Sequence, residues 1–384
     1  MRHIGIRCCV LVALCLPATV IADEPEIDHL LSDVVAIGHE GRNGVTAAAA
    51  TRRLGDLSPQ AVLPILKAFS QANPLAANLL RSAVETIADR SAASDEALPS
   101  DLLAEFAVAQ QHDPRARRLA YELVARVEPA TARELIPGLL TDANPEFRRD
   151  AVAYWIENAK ALARQGRPDA AKQSWHKALS GAIHDDQVRT ITTALEGFGE
   201  TIDVQKHFGF VAHWKVIGPF DNTGMKGFDA VYPPEEETFD ETATYAGKLG
   251  GVSWQPISTD DPYGVIDIAM QLENYKGSAM YFACRFESEH DQTVEIRLGT
   301  ANAWKLWVNG EFKFGRQEYH RGMELDQYRV PVSLKAGANV ILFKILQNEQ
   351  DEDWAQSYKF RLRVCDATGV AVLPAEPDGR NRRP

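Results

Sequence analysis

The chain has 384 residues, which is too long for one ordinary hydrophobic core, so its length predicts two domains. Hydrophobic residues make up 45% and charged residues 24%, a composition typical of a folded, soluble protein. The formal net charge is −12. Because such an acidic chain repels nucleic acid and anionic lipid, we expect no nucleic-acid partner.

The first 22 residues are typical of a cleaved signal peptide. Two arginines precede a short apolar run, and Ala22 is a small residue at the cleavage position. The run is too short to span a bilayer stably, and no later stretch reaches the roughly 18 apolar residues of a membrane helix. We therefore expect export to the periplasm or the medium and no membrane span. Lipidation at Cys15 is the alternative, disfavoured because Leu14 precedes it where a small residue is needed.

Two cysteines remain after the predicted signal peptide, Cys284 and Cys365. An oxidising compartment allows a disulfide between them. Cys284 shares a strand face with Phe282 and Phe286, whereas Cys365 falls on the face opposite to its apolar neighbours. This parity argues against pairing, although a β-bulge would repair it, so the disulfide is left open.

Residues 23–200 carry the pattern of a helical repeat. Asn or Asp accepts the free N–H groups of a first helical turn, and Pro is tolerated at the first helical position. Five such starts recur at intervals of roughly 30 to 40 residues, and each precedes a broad apolar helix face. The starts are Asn43-Gly44, Asn73-Pro74, Asp113-Pro114, Asn144-Pro145 and Asp185-Asp186. Second helices are predicted in the intervals at 59–69, 99–109, 129–140 and 168–179.

Residues 113–120 (DPRARRLA) and 144–151 (NPEFRRDA) resemble the HEAT-repeat signature, and residues 161–179 resemble a tetratricopeptide unit. Both resemblances imply an α-α superhelix that serves as a scaffold or a protein-binding surface. The alternative is a spacer that only supports the second domain. Recurring arginines are candidates for a groove that binds an acidic partner, but solvated helix faces or ion pairs within the repeats are favoured. They are Arg52, Arg53, Arg117, Arg118, Arg148 and Arg149.

The apolar periodicity changes near residue 200 from helical to alternating. We predict a linker at 201–209, an antiparallel β-sandwich at 210–373 and a disordered tail at 374–384. Asn309-Gly310, between two alternating runs, predicts a hairpin. Other strands are predicted at 294–298, 304–308, 340–346 and 358–364.

Three segments of this half resemble a galactose-binding-like jelly-roll of the type appended to bacterial glycosidases. They are 214–220 (WKVIGPF), 304–311 (WKLWVNGE) and 330–344 (VPVSLKAGANVILFK). The resemblance implies a jelly-roll over residues 210–366. It does not imply a ligand, because many members of the superfamily only pack against neighbouring domains.

Carbohydrate binding by such a domain needs exposed aromatic rings that stack on sugar C–H faces, with polar groups nearby for the hydroxyls. The alternative for each aromatic is that it plugs an end of the sandwich or packs on the helical repeat. The candidates are Trp307, Arg316, Tyr319, His320, Arg321, Asn348, Trp354 and Gln356.

The loop at 348–353 (NEQDED) is rich in oxygen ligands, so Asp351 and Asp353 are weak candidates for calcium, and no other cofactor is indicated. Its spacing does not match an EF-hand, which favours a solvated acidic turn. Glu235, Glu236 and Glu237 follow two prolines and predict an exposed loop or linker.

Catalytic motifs are absent from the sequence. It has no zinc-binding HExxH helix, nucleophile elbow, phosphate loop or haem-attachment motif. The leading hypothesis is an exported, non-enzymatic protein whose jelly-roll binds carbohydrate and whose helical repeat binds an envelope protein. The second is a scaffold that makes only protein–protein contacts. The third is a part of a glycoside hydrolase, which requires two carboxylates about 5–10 Å apart.

Overall fold

The computed structural model describes residues 24–375. The predicted signal peptide, Cys15 and residues 376–384 of the predicted tail lie outside this range. The chain divides into two compact units between Ala182 and Ile183, earlier than the boundary predicted at residue 200. Within residues 24–375, no helix has the length and apolar character needed to cross a membrane.

The first unit is helical. Short 3₁₀ turns lie between several of its helices, and buried side chains from residues 30–132 share one apolar core. Its nine helices in the described range are α1 (Glu24–Val35), α2 (Gly44–Gly55), α3 (Val62–Ala68), α4 (Pro74–Ala92), α5 (Ser100–Val108), α6 (Pro114–Val127), α7 (Pro129–Leu135), α8 (Pro145–Arg164) and α9 (Pro168–Gly181).

Three of the five predicted helix caps are confirmed. The side-chain oxygens of Asn73, Asp113 and Asn144 each accept a hydrogen bond from a first-turn N–H group, at 2.8 to 2.9 Å. At the other two positions a helix begins where it was predicted, but the predicted side-chain cap is wrong. Asn43 has a left-handed backbone with φ 63° and caps nothing, and Asp185 lies inside the first turn of its helix.

The capping residues also join successive helix pairs. Asn73 Nδ2 donates to the carbonyl of Ile37 at 2.6 Å, and Asn144 Nδ2 donates to that of Pro114 at 3.0 Å. The oxygen of one amide therefore accepts from a free N–H group of its own helix, while the nitrogen donates to a backbone carbonyl of the preceding helix pair. This double use explains why Asn recurs at this position.

Three of the recurring arginines, Arg53, Arg117 and Arg118, form ion pairs inside the helical unit. Arg117 and Asp142 are both buried and are joined by two hydrogen bonds. Arg118 pairs with Asp150 at 2.6 Å. These contacts favour the interpretation of the arginines as structural rather than as a free basic groove.

Up to residue 375, the second unit contains four helices, three of them of five residues or fewer, and a set of antiparallel strands. The helices are α10 (Asp185–Glu196), α11 (Val204–Phe208), α12 (Pro233–Glu236) and α13 (Ile268–Gln271). The strands in the described range are β1 (His213–Asp221), β2 (Thr244–Gly247), β3 (Gly250–Ser253), β4 (Gln255–Ser258), β5 (Ile266–Asp267), β6 (Ser278–Ser288), β7 (Gln292–Thr300), β8 (Ala303–Val308), β9 (Glu311–Arg316), β10 (Tyr328–Leu334), β11 (Gly337–Gln347) and β12 (Lys359–Cys365).

The strands form a two-layer arrangement with a shared core. One sheet has the order β4-β1-β6-β11-β8-β9, the other has the order β10-β7-β12-β5, and β2 and β3 form a separate pair. Alternate residues of both large sheets enter one apolar cluster, which is the packing expected of a β-sandwich. The predicted hairpin is confirmed, because Asn309 and Gly310 both have positive φ between β8 and β9.

The outer face of the six-stranded sheet is covered by residues 222–254, which we call the covering segment. Rings of this segment pack on outward-facing side chains such as Tyr281, Trp307 and Leu342. Beneath it, the Lys344 ammonium donates to Glu235 Oε1 at 2.7 Å and to the carbonyl of Ala230 at 2.8 Å. The prediction that Glu235 lies in an exposed linker is therefore wrong, because its carboxylate is paired in the interior.

The residues predicted as a linker, 201–209, contain helix α11, which is attached to the β unit. Phe208 is buried, and its carbonyl accepts a hydrogen bond from Arg363 Nη1 at 3.1 Å. Arg363 and Arg297 both bind Asp326 Oδ2, at 2.6 and 2.9 Å. A buried ionic cluster thus holds this segment in place.

Cys284 and Cys365 are both free and buried, so the disulfide that the sequence left open does not form. Cys284 lies in β6 with its side chain in the core between the sheets, whereas Cys365 lies in β12 of the other sheet, outside that core. No β-bulge reverses the parity of Cys365, whose neighbour Val364 enters the core in its place.

Candidate functional site

Three of the predicted sugar-binding residues lie together at one end of the β unit. His320 Nε2 donates to Asn348 Oδ1 at 2.9 Å. The His320 and Trp354 rings are in edge-to-face contact, with centroids 5.1 Å apart and planes 89° apart. Trp354 keeps 61% of its surface exposed. An indole ring is therefore held against a fixed neighbour while much of its surface remains open to solvent.

Tyr319, the residue before His320 in the chain, is fixed by a hydrogen bond from Asn222. Tyr319 is half-buried, and its hydroxyl accepts a hydrogen bond from Asn222 Nδ2 at 3.1 Å. The same amide donates to the carbonyl of Gln347 at 2.9 Å. Burial raises the pKa of Tyr319, so its hydroxyl is neutral at ordinary pH. Tyr319 therefore positions the loop that carries His320.

The other predicted candidates lie apart from the cluster or are used structurally. Trp307 is only 5% exposed because the covering segment packs on it, so the expectation that it is open to a ligand is not met. Gln356 donates to the carbonyls of Asp351 and Glu352 and thus closes the loop at 348–353. Arg321 is exposed and pairs with Glu318, and Arg316 lies over the Phe314 ring.

An open depression of about 780 Å³ lies beside the cluster. Its rim is rich in amide and carboxylate oxygens, which can accept hydrogen bonds from hydroxyl or ammonium groups. The lining residues are Met225, Asn348, Glu349, Gln350, Asp351 and Glu352.

Lys276 fixes the loop at 348–353, which we call the acidic loop. Its ammonium donates to the carbonyl of Gln350 at 2.6 Å and to that of Ala355 at 3.1 Å. Desolvation lowers the pKa of Lys276, although the charges of Asp351 and Glu352 act in the opposite direction. These bonds make the loop a fixed surface, a property that reduces the entropy lost when a ligand binds.

The calcium interpretation of Asp351 and Asp353 is not supported. Over residues 24–375, no group of three His, Cys, Asp or Glu side chains is arranged to hold a metal ion. Both residues are exposed, and calcium requires six to eight converging oxygens.

Sequence reasoning missed the part of the site that comes from the covering segment. Met225 lines the depression, and the backbone N–H of Gly224 donates to Glu349 Oε1. These residues are far from the acidic loop in sequence, and no local pattern links the two. Gly224 and Met225 both have positive φ, at 64° and 61°, which makes a tight turn there, and the glycine is the local sequence signal for it.

Two further depressions occur in the described part of the β unit. One of about 500 Å³ lies along the edge strand β4 and includes His213 and Arg285 in its lining. The other, of about 300 Å³, lies beside the covering segment and includes Tyr245 and Trp254. Neither contains a sugar-binding candidate from the sequence.

Two titratable groups with shifted pKa values, Tyr281 and Lys344, lie under the covering segment and do not line the open depression. Burial and the charge of Glu235 raise the pKa of Tyr281 far above its ordinary value, and burial lowers that of Lys344. Glu235, Tyr281 and Lys344 satisfy one another under the covering segment. This cluster is a structural ion pair and presents no group to a substrate.

Comparisons with known proteins identify no family. No family model matches the chain, and no curated protein does. Among solved structures, it is similar to a GH31 α-xylosidase from Xanthomonas citri (9% identity, TM-score 0.17), covering 30% of this chain and 15% of that one. A β-glucosidase from Kluyveromyces marxianus gives 8% identity and a TM-score of 0.26, covering 78% of this chain and 38% of that one.

The alkylpurine DNA glycosylase AlkC of Pseudomonas fluorescens, bound to DNA containing an abasic site analog, gives 10% identity and a TM-score of 0.18. That match covers 91% of this chain and 95% of the other. This chain thus spans well under half the length of the two glycosidases. With TM-scores this low, none of the three supports a statement about fold or function.

Proposed function

We propose that this protein is an exported, non-enzymatic binding protein whose β unit binds carbohydrate at the open end around Trp354. The β unit would be a galactose-binding-like jelly-roll, and the helical unit a HEAT-like superhelix that binds a protein partner. The observation that supports the carbohydrate proposal is the 61% exposed Trp354 ring, held by His320 beside an oxygen-lined depression.

The arrangement suits a sugar for two reasons. A sugar ring has an apolar C–H face that stacks on an aromatic ring and a rim of hydroxyls that need hydrogen-bond partners. Trp354 offers the first surface, and Asn348, Glu349 and Gln350 offer the second. An open depression accommodates an extended polymer better than a single enclosed ligand.

The helical unit is proposed to bind a protein because repeated helix pairs present a long surface. The alternative is that both units make only protein contacts. Pull-down from a cell-envelope extract with the whole mature chain, in the presence and absence of soluble glycan, separates these possibilities. A partner retained at saturating glycan supports two separate binding surfaces.

Export is proposed from the N-terminal pattern. Cleavage after Ala22 leaves Asp23 as the first residue of the mature chain. Mass spectrometry of the protein purified from its own cells tests this. An intact Met1 would contradict it, and a lipid-modified Cys15 would establish the alternative.

The carbohydrate proposal is tested with a glycan array followed by calorimetric titration of the best ligand. Trp354→Ala is expected to weaken binding by about 2 kcal/mol, roughly thirtyfold in Kd, as for a central aromatic contact. The matched control is Phe312→Ala, since Phe312 is 53% exposed on β9 and outside the depression.

Three outcomes are informative. Loss with Trp354→Ala and retention with Phe312→Ala supports the site. Equal loss in both variants points to a fold defect, which thermal unfolding of the two proteins identifies and which would refute the assignment to Trp354. An array without signal at high protein concentration contradicts carbohydrate binding altogether and favours the scaffold alternative.

A further inference from the structure

We propose that His320 is a pH-sensitive positioning residue, which holds Trp354 for the glycan only while its imidazole ring is neutral, so that acid weakens binding. This inference rests on the proposed function and adds a regulation to the same site. It comes from one ring nitrogen, His320 Nδ1, which the stacking argument does not use.

The hydrogen bonds of Asn348 determine which nitrogen of His320 carries the proton. Asn348 is buried, and its amide nitrogen donates to Gln350 Oε1 at 2.7 Å. Its amide oxygen is therefore the atom that lies 2.9 Å from His320 Nε2. An amide oxygen accepts a hydrogen bond and cannot donate one, so the neutral ring has its proton on Nε2 and a bare Nδ1.

His320 Nδ1 is enclosed and has no partner. Less than 1 Å² of its surface is accessible, and it forms no hydrogen bond with any described group. A bare nitrogen leaves one neutral acceptor unsatisfied there. Protonation would leave a charged N–H donor unsatisfied in the same position, which costs more. The surroundings of Nδ1 thus favour the neutral ring.

Charged groups on both neighbouring loops also act on the ring. On its own loop, Glu318 pairs with Arg321 at 3.2 Å, so these two charges largely cancel. The acidic loop contributes exposed carboxylates whose charges solvent screens, namely Glu349, Asp351, Glu352 and Asp353. The charge of Lys276 acts on two of them. These groups influence the pH at which the ring changes form, whereas the missing acceptor decides what that change does to the site.

Protonation reaches Trp354 through the ring contact. The two rings touch edge to face, and the His320 backbone is left-handed, with φ 60°, which a residue other than Gly keeps only where its neighbours hold it. A charged ring that turns outward to find an acceptor for Nδ1 leaves both Asn348 and Trp354. Histidine titrates between about pH 5 and 8. The site is therefore complete above this range and is lost as the pH falls through it.

The binding test compares the parent protein with His320→Gln, because a Gln amide can donate to Asn348 as Nε2 does but does not titrate. The probe is the glycan with the strongest array signal, titrated by calorimetry at about pH 7.5 and about pH 5. The parent should bind at least about tenfold more weakly at the lower pH, and His320→Gln should change less than about twofold. His290→Gln, at an exposed histidine outside the depression, is the matched control and should keep the parent's pH dependence.

A second measurement needs no glycan. Long-range ¹⁵N spectra of the histidine rings should show His320 with a hydrogen on Nε2 and a bare Nδ1 at about pH 7.5. The indole N–H signal of Trp354 is identified by its absence from Trp354→Phe. It should shift or broaden as the pH falls to about 5 in the parent and stay unchanged in His320→Gln.

The failures are distinguishable. If the parent binds the probe equally well or more tightly at the lower pH, the pH inference is wrong and carbohydrate binding stands. If His320→Gln shows the same pH dependence as the parent, another group causes it and the assignment to His320 is wrong. If no glycan binds at either pH, the proposed function fails, and the ring and indole spectra alone decide whether His320 controls Trp354.

Discussion

The β unit contains two groups of charged side chains that behave in opposite ways. Under the covering segment, Lys344 and Glu235 are almost fully buried and are paired with each other. At the open end, Glu349, Asp351 and Glu352 are exposed, and Lys276 acts on Asp351 and Glu352 only through its charge. Buried charges must be paired because desolvation is expensive, whereas exposed ones can remain single at little cost. The comparison distinguishes buried charges, which stabilise the fold through their pairing, from exposed charges, which are accessible to a ligand.

The largest expected effect comes from breaking the buried pair. Lys344→Met leaves the Glu235 carboxylate and the Ala230 carbonyl buried without a donor from this side chain. We expect the free energy of unfolding, measured with urea, to fall by about 3–5 kcal/mol. Replacing both members, Lys344→Met with Glu235→Leu, should recover part of the loss because no single charge is left buried.

A matched exposed pair provides the control. Lys335 and Asp291 are 3.2 Å apart, with side chains 71% and 65% exposed. Lys335→Met should change the free energy of unfolding by less than about 0.5 kcal/mol. Similar losses in the Lys344 and Lys335 variants would break the distinction between buried and exposed charges.

The second expected effect concerns pH and the cluster around Asp326. Burial alone would raise the pKa of Asp326, but the hydrogen bonds and charges of Arg363 and Arg297 hold it below its ordinary value. A lowered folded-state pKa gives stability that is complete above the unfolded value of about 3.9 and is lost as the pH falls through the folded value. We therefore expect the unfolding free energy of the β unit to decrease below about pH 4.

Asp326→Asn tests this linkage. Asn tolerates the left-handed backbone at this position, where φ is 56°, so the change removes the charge with little added strain. The variant should be less stable than the parent at neutral pH and should lose less of its stability on acidification. Urea titrations at several pH values measure this loss. If the variant loses as much unfolding free energy on acidification as the parent, other carboxylates control the pH dependence of stability.

Local patterns in the sequence predicted the elements well and their long-range partners poorly. The Asn309-Gly310 hairpin and the Asn73, Asp113 and Asn144 caps depend on residues a few positions apart, so the chemistry can be read locally. The same is true of the acidic loop next to Trp354.

What could not be predicted depends on contacts between distant segments. Alternation along β8 places Trp307 on the face opposite the core, yet it does not reveal that the covering segment packs on that face. Likewise, Glu235 in a Pro-Pro-Glu-Glu-Glu run gives no sign of Lys344, which comes from a strand much later in the chain. Met225 belongs to the depression for the same reason.

The smallest expected effect extends the comparison to the helical unit. Asn144 is buried and uses its amide for both the cap and the Pro114 carbonyl, whereas Asn43 is exposed and caps nothing. Asn144→Ala should lower the free energy of unfolding by about 1–2 kcal/mol. Asn43→Gly should change the free energy of unfolding by only about 0.3 kcal/mol, because Gly adopts positive φ readily. Equal effects would indicate that the caps do not define the repeat.

The most direct test of the central claim compares the two tryptophans that the sequence proposed for the ligand, Trp354 at the open end and Trp307 under the covering segment. Glycan binding is followed by intrinsic tryptophan fluorescence in Trp354→Phe and Trp307→Phe, both of which keep an aromatic ring. We predict that the ligand-induced change persists in Trp307→Phe and disappears in Trp354→Phe. A change that persists in Trp354→Phe and disappears in Trp307→Phe would place the ligand elsewhere and contradict the account.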